Sequence, residues 1–309
     1  MDWIHRIRIR QLSTLITLYE SRNMTSAAQA VGLSQPALSK WLSALEADVG
    51  LTLFARTTRG FQPTAACDEL IVHARAVVGE MERSAQTMLL VASGASASLV
   101  VGMTPPAAPA LMPRAVHRFR AGHPNVHLEI RENSMDMLVP QLRAGRLDFC
   151  VVRIEQPMAD QHIRYDLLYQ EEMRVVAGLH HPLANRRRVD WVELGQIEWI
   201  GPVAESPLRR ELEHEFALAG EPAPRYRVET QSMLMVAALL QQGTQVAAMS
   251  ARMASYFAAL KQVNILPLPY RRRSGIGVLR LRGSEPTPHK TAFFEALKAE
   301  AELLAAEDG

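Results

Sequence analysis

The chain has 309 residues, 48% hydrophobic and 21% charged, a composition that excludes a disordered or fibrous protein and supplies more than one core. A net charge of +2 excludes a uniformly basic nucleic-acid coat, and no run reaches the ~18 apolar residues of a membrane span. The two cysteines, Cys67 and Cys150, are too far apart for a CxxC redox or metal motif.

The N-terminal twelve residues alternate apolar and basic side chains, with neither the apolar stretch nor the cleavage site of a secretory leader. The expected location is the cytoplasm. Residues 1–64 carry seven Arg or Lys against four acids, a net of +3, while the remainder sums to −1. A small basic module on a neutral body fits DNA contact through one end.

Leu12, Leu15, Ile16, Leu18 and Tyr19 form a helical stripe. Asn23 or Thr25 can cap a second, short helix carrying the small Ala27 and Ala28. Gly32 supplies the tight turn, Ser34 an N-cap, and Pro36 falls in the first turn of a third helix. Leu38, Leu42 and Leu45 face a core, leaving Gln35, Pro36, Ser39, Lys40 and Ser43 on a short polar face that suits a major groove. Residues 24–44 thus read as a helix-turn-helix, although the spacing also fits an ordinary αα-hairpin. The candidate DNA contacts are Ser34, Gln35, Pro36, Ser39 and Lys40, with Gln35 as an adenine reader and Ser39 and Lys40 on the backbone. Two extended pieces around a basic turn (residues 51–64) read as a wing that presents Arg56 and Arg59, or else as a hairpin with two solvated arginines.

From Leu70 to Met88 the apolar residues Leu70, Ala74, Val77, Met81 and Met88 recur near a 3.5-residue period. A long helix with this seam either pairs with a second copy or packs on its own domain. Residues 92–98 have linker composition.

Beyond them short apolar runs alternate with amphipathic helices, the pattern of βαβ units and a mostly parallel sheet. Strands are expected at Leu99–Met103, Val126–Ile130, Leu147–Val152, Met173–Ala177, Glu198–Ile200, Tyr226–Glu229, Gln245–Met249 and Gly275–Leu281. Helices are expected at about 109–121, 135–144, 207–219, 231–242 and 287–306. The two βα series imply two α/β lobes, about 99–165 with 269–309 and about 166–268, and a cleft at the strand ends. Thr104, Ser134 and Arg153 fall just after the first three strands. Ser206 and Thr230 are candidates in the second lobe. Arg153 can take a carboxylate bidentately, which points to a small organic anion, or it can pair with an acid of the chain. Thr104, Ser134 and Ser206 can equally be helix caps. Pro105 and Pro106 supply no N–H donors, which argues against a ligand held by backbone amides there.

Nothing in the sequence assembles an enzyme or a metal site. His117, His123, His127 and the pair His180-His181 lack HExxH or Cys/His spacing, Gly94-Ala95-Ser96-Ala97 lacks the second glycine of a nucleophile elbow, and no GxGxxG or Walker motif occurs. No cofactor is expected. A rival reading is a solute-binding or enzymatic α/β protein whose N-terminal helices mediate association.

The run from Ala27 to Ala66 resembles the N-terminal region of the LysR-type transcriptional regulators. It matches at Ala27-Ala28, the SQPALS run Ser34–Ser39, Leu45-Glu46, Gly50, Leu53-Phe54, Arg56 and Thr64. The likeness continues more loosely through His123–Val126, Gly145–Asp148 and Gly243–Ala247. Cys67, where the family usually has glycine, and Ser250, where a proline is common, depart from it. The resemblance implies a multidomain chain: an all-α winged helix-turn-helix at 1–63, a linker and dimerisation helix at 64–93, and a two-lobed α/β effector-binding domain at 94–309. It implies a sequence-specific regulator and not an enzyme, with promoter DNA, a small-molecule effector, a second copy (homodimer or homotetramer) and, when activating, RNA polymerase as partners. Family members that sense peroxide use a cysteine pair in the regulatory lobe; here Cys150 stands alone in an expected buried strand and Cys67 lies in the linker, so redox sensing is not expected.

Overall fold

The computed structural model describes residues 3–57, 60–92, 96–154, 160–270, 273–283 and 287–307. They fall into two compact units, Met1–Ser98 with Val139–Asp148, and Leu99–Leu138 with Phe149–Gly309.

In the first unit, helices α1 (Ile9–Ser21), α2 (Met24–Ala30) and α3 (Gln35–Val49) precede a hairpin of β1 (Phe54–Thr57) and β2 (Gly60–Pro63), and helix α4 (Ala65–Ala92) follows. Local chemistry sets these boundaries. Asn23 caps α2 by accepting from the Thr25 and Ser26 amides at 2.9 and 3.0 Å, and Ser34 caps α3 by accepting from the Ala37 amide at 3.3 Å. Gly32 turns the chain between them at φ +70°, a conformation that disfavours any side chain. Leu38, Leu42 and Leu45 are buried against Leu15, Leu18, Ala27 and Ala28. Each such leucine is worth about 1.5–3 kcal/mol when buried, enough to fix which face of α3 turns inward and which is left to solvent.

The hairpin is tied to α3 by Glu46, which accepts from the Leu53 and Phe54 amides at 2.7 and 3.0 Å. Phe54 and Phe61 stack at 4.7 Å across it. The Thr64 hydroxyl accepts from the Cys67 amide at the start of α4 and donates to the Thr52 carbonyl. Cys67 and Ile71 join the helical core, and Tyr19 donates to Asp68 at 2.8 Å. Farther along α4, Val77, Met81, Met88 and Leu89 are exposed.

The second unit contains β3 (Ala97–Met103), α5 (Leu111–Gly122), β4 (Val126–Glu132), α6 (Met135–Arg143), β5 (Phe149–Ile154), β6 (Ile163–Ala177), α7 (Trp191–Gly195), β7 (Glu198–Gly201), α8 (Pro207–Leu218), β8 (Arg225–Glu229), α9 (Met233–Leu240), β9 (Val246–Ser250), α10 (Ala251–Ala259), β10 (Asn264–Ile265), β11 (Arg273–Leu281) and α11 (Pro288–Glu307). The first two residues of β3 and the second half of α6 belong to the first unit. The sheet runs β4-β3-β5-β11-β6-β9-β7-β8, with β10 on β6. This is a two-lobed α/β arrangement in which the long β6 belongs to both series.

The expectation of a mostly parallel sheet is corrected. The pairs β3–β5, β7–β8 and β7–β9 are parallel, but β11 is antiparallel to both β5 and β6, and β6 is antiparallel to β9. The expected strand Met173–Ala177 is only the end of a 15-residue strand. Helices α7 and α10 and strand β10 were not expected. Trp199 and Phe216, both 0% exposed, anchor the second series, and the Trp199 indole donates to the Leu194 carbonyl at 3.0 Å. In the first series Phe119 meets Phe293 edge-on at 5.3 Å.

Candidate functional site

Two places gather the side chains singled out from the sequence. The first is α3. Ser34, Gln35 and Pro36 stand exposed at its start, Lys40 is exposed one turn on, and Ser39 is half-buried. The Ser43 hydroxyl donates back to the Ser39 carbonyl at 3.1 Å, as helix serines do. The exposed polar turn is the reverse side of the buried leucine face, so the same helix that closes the core presents a short, donor-rich edge. Arg56 sits in β1 opposite Phe61. Arg59 lies outside the described residues.

The second is a cavity of about 330 Å³ in the second unit. Thr104, Ser134, Arg153, Ser206 and Thr230 all line it. Five residues chosen from separate strand ends and turns therefore meet in one place. Its apolar surface comes from Met135, Val203, Leu208, Met233, Met249 and Met253, together with several prolines. Sequence reasoning missed Met249, Ser250 and Met253, which flank the start of α10, and the acidic Asp136 and Glu205. Ser250 stands where the resemblance expects proline, and its hydroxyl caps α10 by accepting from the Met253 amide. That departure was the available signal.

The wall residues divide by role. Ser206 caps α8, accepting from the Arg209 amide at 3.1 Å, and the Thr230 hydroxyl accepts from the Ser232 amide at 3.1 Å. Thr104 makes no side-chain cap; its hydroxyl, 8% exposed with its residue, accepts from the Arg153 amide at 3.2 Å. The walls hold the starts of α6, α8, α9 and α10, and helix N-termini carry the positive end of the backbone dipole.

Arg153 lines the cavity but takes the second of its two expected roles, pairing with acids of the chain. It lies within β5 rather than beyond the strand, its side chain is 3% exposed, and its guanidinium is already engaged. Nη2 donates to Glu211 at 2.5 Å and Nη1 to Glu171 at 3.4 Å. Ser274 donates to the same Glu211 oxygen at 2.8 Å. With both terminal nitrogens on carboxylates of its own chain, the guanidinium keeps only its buried Nε without a partner. Burial pushes the Glu171 carboxyl above the usual carboxylate range, against the opposing pull of Arg153, the Arg252 amide and the Ser250 hydroxyl.

Both cysteines are buried and free. Burial is the main cause that raises each thiol to about 12, which leaves little thiolate for redox chemistry. Among the described residues no group of three His, Cys, Asp or Glu side chains is placed to hold a metal, and no helix is long and apolar enough to cross a membrane.

Residues 9–68 match the model of the bacterial regulatory helix-turn-helix proteins of the lysR family, and residues 92–302 match that of the LysR substrate binding domain. The chain is 32% identical to the HTH-type transcriptional regulator GalR of Pseudomonas putida over 298 residues, 96% of this chain and 74% of that protein. It is 27% identical to GbpR of Azospirillum brasilense, covering 95% and 86% of the two chains. Full-length OxyR from Pseudomonas aeruginosa superposes with a TM-score of 0.62 at 21% identity, covering 96% of this chain and 95% of that one. Full-length CbnR, solved in complex with its target DNA, gives 0.58 at 21% identity, covering 95% and 100%. With a helix-turn-helix at one end and a two-lobed ligand-binding fold behind it, the chain belongs to the LysR family of bacterial transcriptional regulators.

Proposed function

We propose that the protein reads promoter DNA as a homo-oligomer through the first turn of α3 and the β1–β2 wing, under the control of a small molecule held in the 330 Å³ cavity. The observation that carries the DNA reading is the exposed edge Ser34–Pro36 with Lys40, directly behind the buried leucine face of α3. The similar fold of CbnR, solved on its target DNA, supports the same use of the N-terminal unit. Val77, Met81 and Met88 stay exposed on α4, a stripe that a second copy covers in a dimer, or in a tetramer built from dimers. RNA polymerase is the further partner when the protein activates.

The effector class proposed is a small organic anion, on different grounds from those the sequence offered. Arg153 is committed to Glu171 and Glu211, so the anionic head faces the helix starts at Ser134, Ser206 and Ser250, and the methionines receive an apolar body.

A gel-shift assay with the protein's own upstream DNA tests the first part. Salt-sensitive retardation that weakens in Lys40→Ala and Arg56→Ala supports it, and no salt-sensitive duplex binding sinks it. A thermal-shift screen of small carboxylic acids beside their neutral amides tests the second. Stabilisation by neutral compounds alone removes the anion.

A further inference from the structure

The segment Gly145-Arg146-Leu147-Asp148, part of the family resemblance, has no role in reading DNA or lining the cavity. Its surroundings give it one. Within the first unit, α4 passes over this turn at Gly79. A Cβ at Gly79 would lie 1.7 Å from the Ala144 carbonyl oxygen, a distance no side chain tolerates. Glycine inside a helix costs about 1 kcal/mol against alanine, so its place in the middle of a 28-residue helix needs a packing reason, and the carbonyl supplies it.

The turn is shaped for this approach. Gly145 adopts φ +66°, and the amides of Ala144, Gly145 and Arg146 donate to Pro140, Leu142 and Gln141, each at 2.9 Å, closing the end of α6. Leu147 is 1% exposed. One turn along α4 from Gly79, Arg83 donates to Asp148 at 2.7 Å, where the Asp148 side chain is 3% exposed and that of Arg83 20%. Arg83 also pairs with Glu80 on its own helix. A close backbone crossing and a largely buried ion pair thus fix α4 at two points on the same turn. The turn ends α6, and the first turn of α6 carries Ser134, Met135 and Asp136 of the cavity wall.

We propose that the Gly145–Asp148 turn is a seat for the linker helix, in which Gly79, Arg83 and Asp148 act as positioning residues. Through them α6 passes a change at its cavity end to the helix that carries the DNA-reading head. This goes beyond the proposed function and rests on its reading of the cavity as the effector site, but its test needs no effector.

Hydrogen exchange is measured on the full chain for wild type, Arg83→Asp, Asp148→Arg and the double variant with the two charges swapped. In each single variant, amides of residues 76–83 in α4 and of 135–138 in α6 exchange about tenfold faster, the equivalent of about 1.4 kcal/mol. The swapped pair returns both segments toward wild type. Faster exchange confined to α4, no change in either segment, or no recovery in the swap overturns the proposal. Where a charge-reversed variant does not fold, Arg83→Gln takes its place and is held to the same outcomes. Duplex binding is followed on the same wild-type sample: its absence sinks the function reading, whereas unchanged exchange sinks only the seat.

Discussion

Arg153 and Glu211 lie 58 residues apart in the chain and meet at 2.5 Å, with side chains only 3% and 2% exposed. Glu171 reaches the same guanidinium from β6. One cation therefore holds two carboxylates away from water, and deleting it leaves both without their buried countercharge. Arg153→Met should destabilise the protein by about 3–5 kcal/mol, the range for breaking a buried ion pair by removing one partner. The urea-unfolding midpoint measures this. A loss under about 1 kcal/mol shows that the cluster relaxes into solvent instead of staying buried.

Glu171 gives the cluster a pH signature. Burial raises its carboxyl above the ordinary range, so the folded protein keeps that proton to higher pH than the unfolded chain does. The linked stability is fully present below the unfolded value and is lost as pH rises through the folded one. Glu129 and Glu172, lowered chiefly by hydrogen bonds from Arg131 and Arg174, act in the opposite sense and lose their contribution as pH falls. The expected result therefore lies in a difference. Stability curves of wild type and Glu171→Gln should diverge as pH rises above the usual carboxylate range, with the variant declining less. Parallel curves contradict the assignment.

Helix α3 was legible because its signals are local. Asn23, Gly32, Ser34 and Pro36 each act within four residues, and the three leucines repeat on one face. The cavity was half legible: strand ends are marked by hydroxyl residues next to helix starts, and all five predicted positions reached the wall. What failed is non-local. The partners of Arg153 sit 18 and 58 residues away, and no pattern near Arg153 announces them. The antiparallel crossing of β6 by β11 pairs Arg273 with Glu172 and Leu281 with Ile163, a register that the alternation of either strand alone does not encode. α10 is the exception, a miss despite a local mark: Ser250 caps its start by accepting from the Met253 amide.

Ser34 should behave as a cap independent of any DNA contact. Ser34→Ala is expected to cost about 1 kcal/mol of local stability and Ser34→Gly only a few tenths. Exchange of the Ala37 and Leu38 amides reports it. Equal effects from the two variants contradict a capping role.

The buried thiols predict chemical silence. With both raised to about 12, native protein treated with iodoacetamide at neutral pH should show no label on Cys67 or Cys150 by mass spectrometry, and full label after unfolding. Rapid native labelling of either thiol contradicts the packing described around it.

The central claim is that the exposed first turn of α3 meets the phosphates and base edges of duplex DNA. Its most direct test is the salt dependence of duplex affinity, measured by fluorescence anisotropy on the upstream DNA for wild type and Lys40→Ala. The affinity of wild type should fall linearly on logarithmic axes, and Lys40→Ala should bind more weakly with a slope smaller by about 1, the loss of one phosphate contact. Equal slopes for the two proteins, or no salt-dependent binding by wild type, contradict the account.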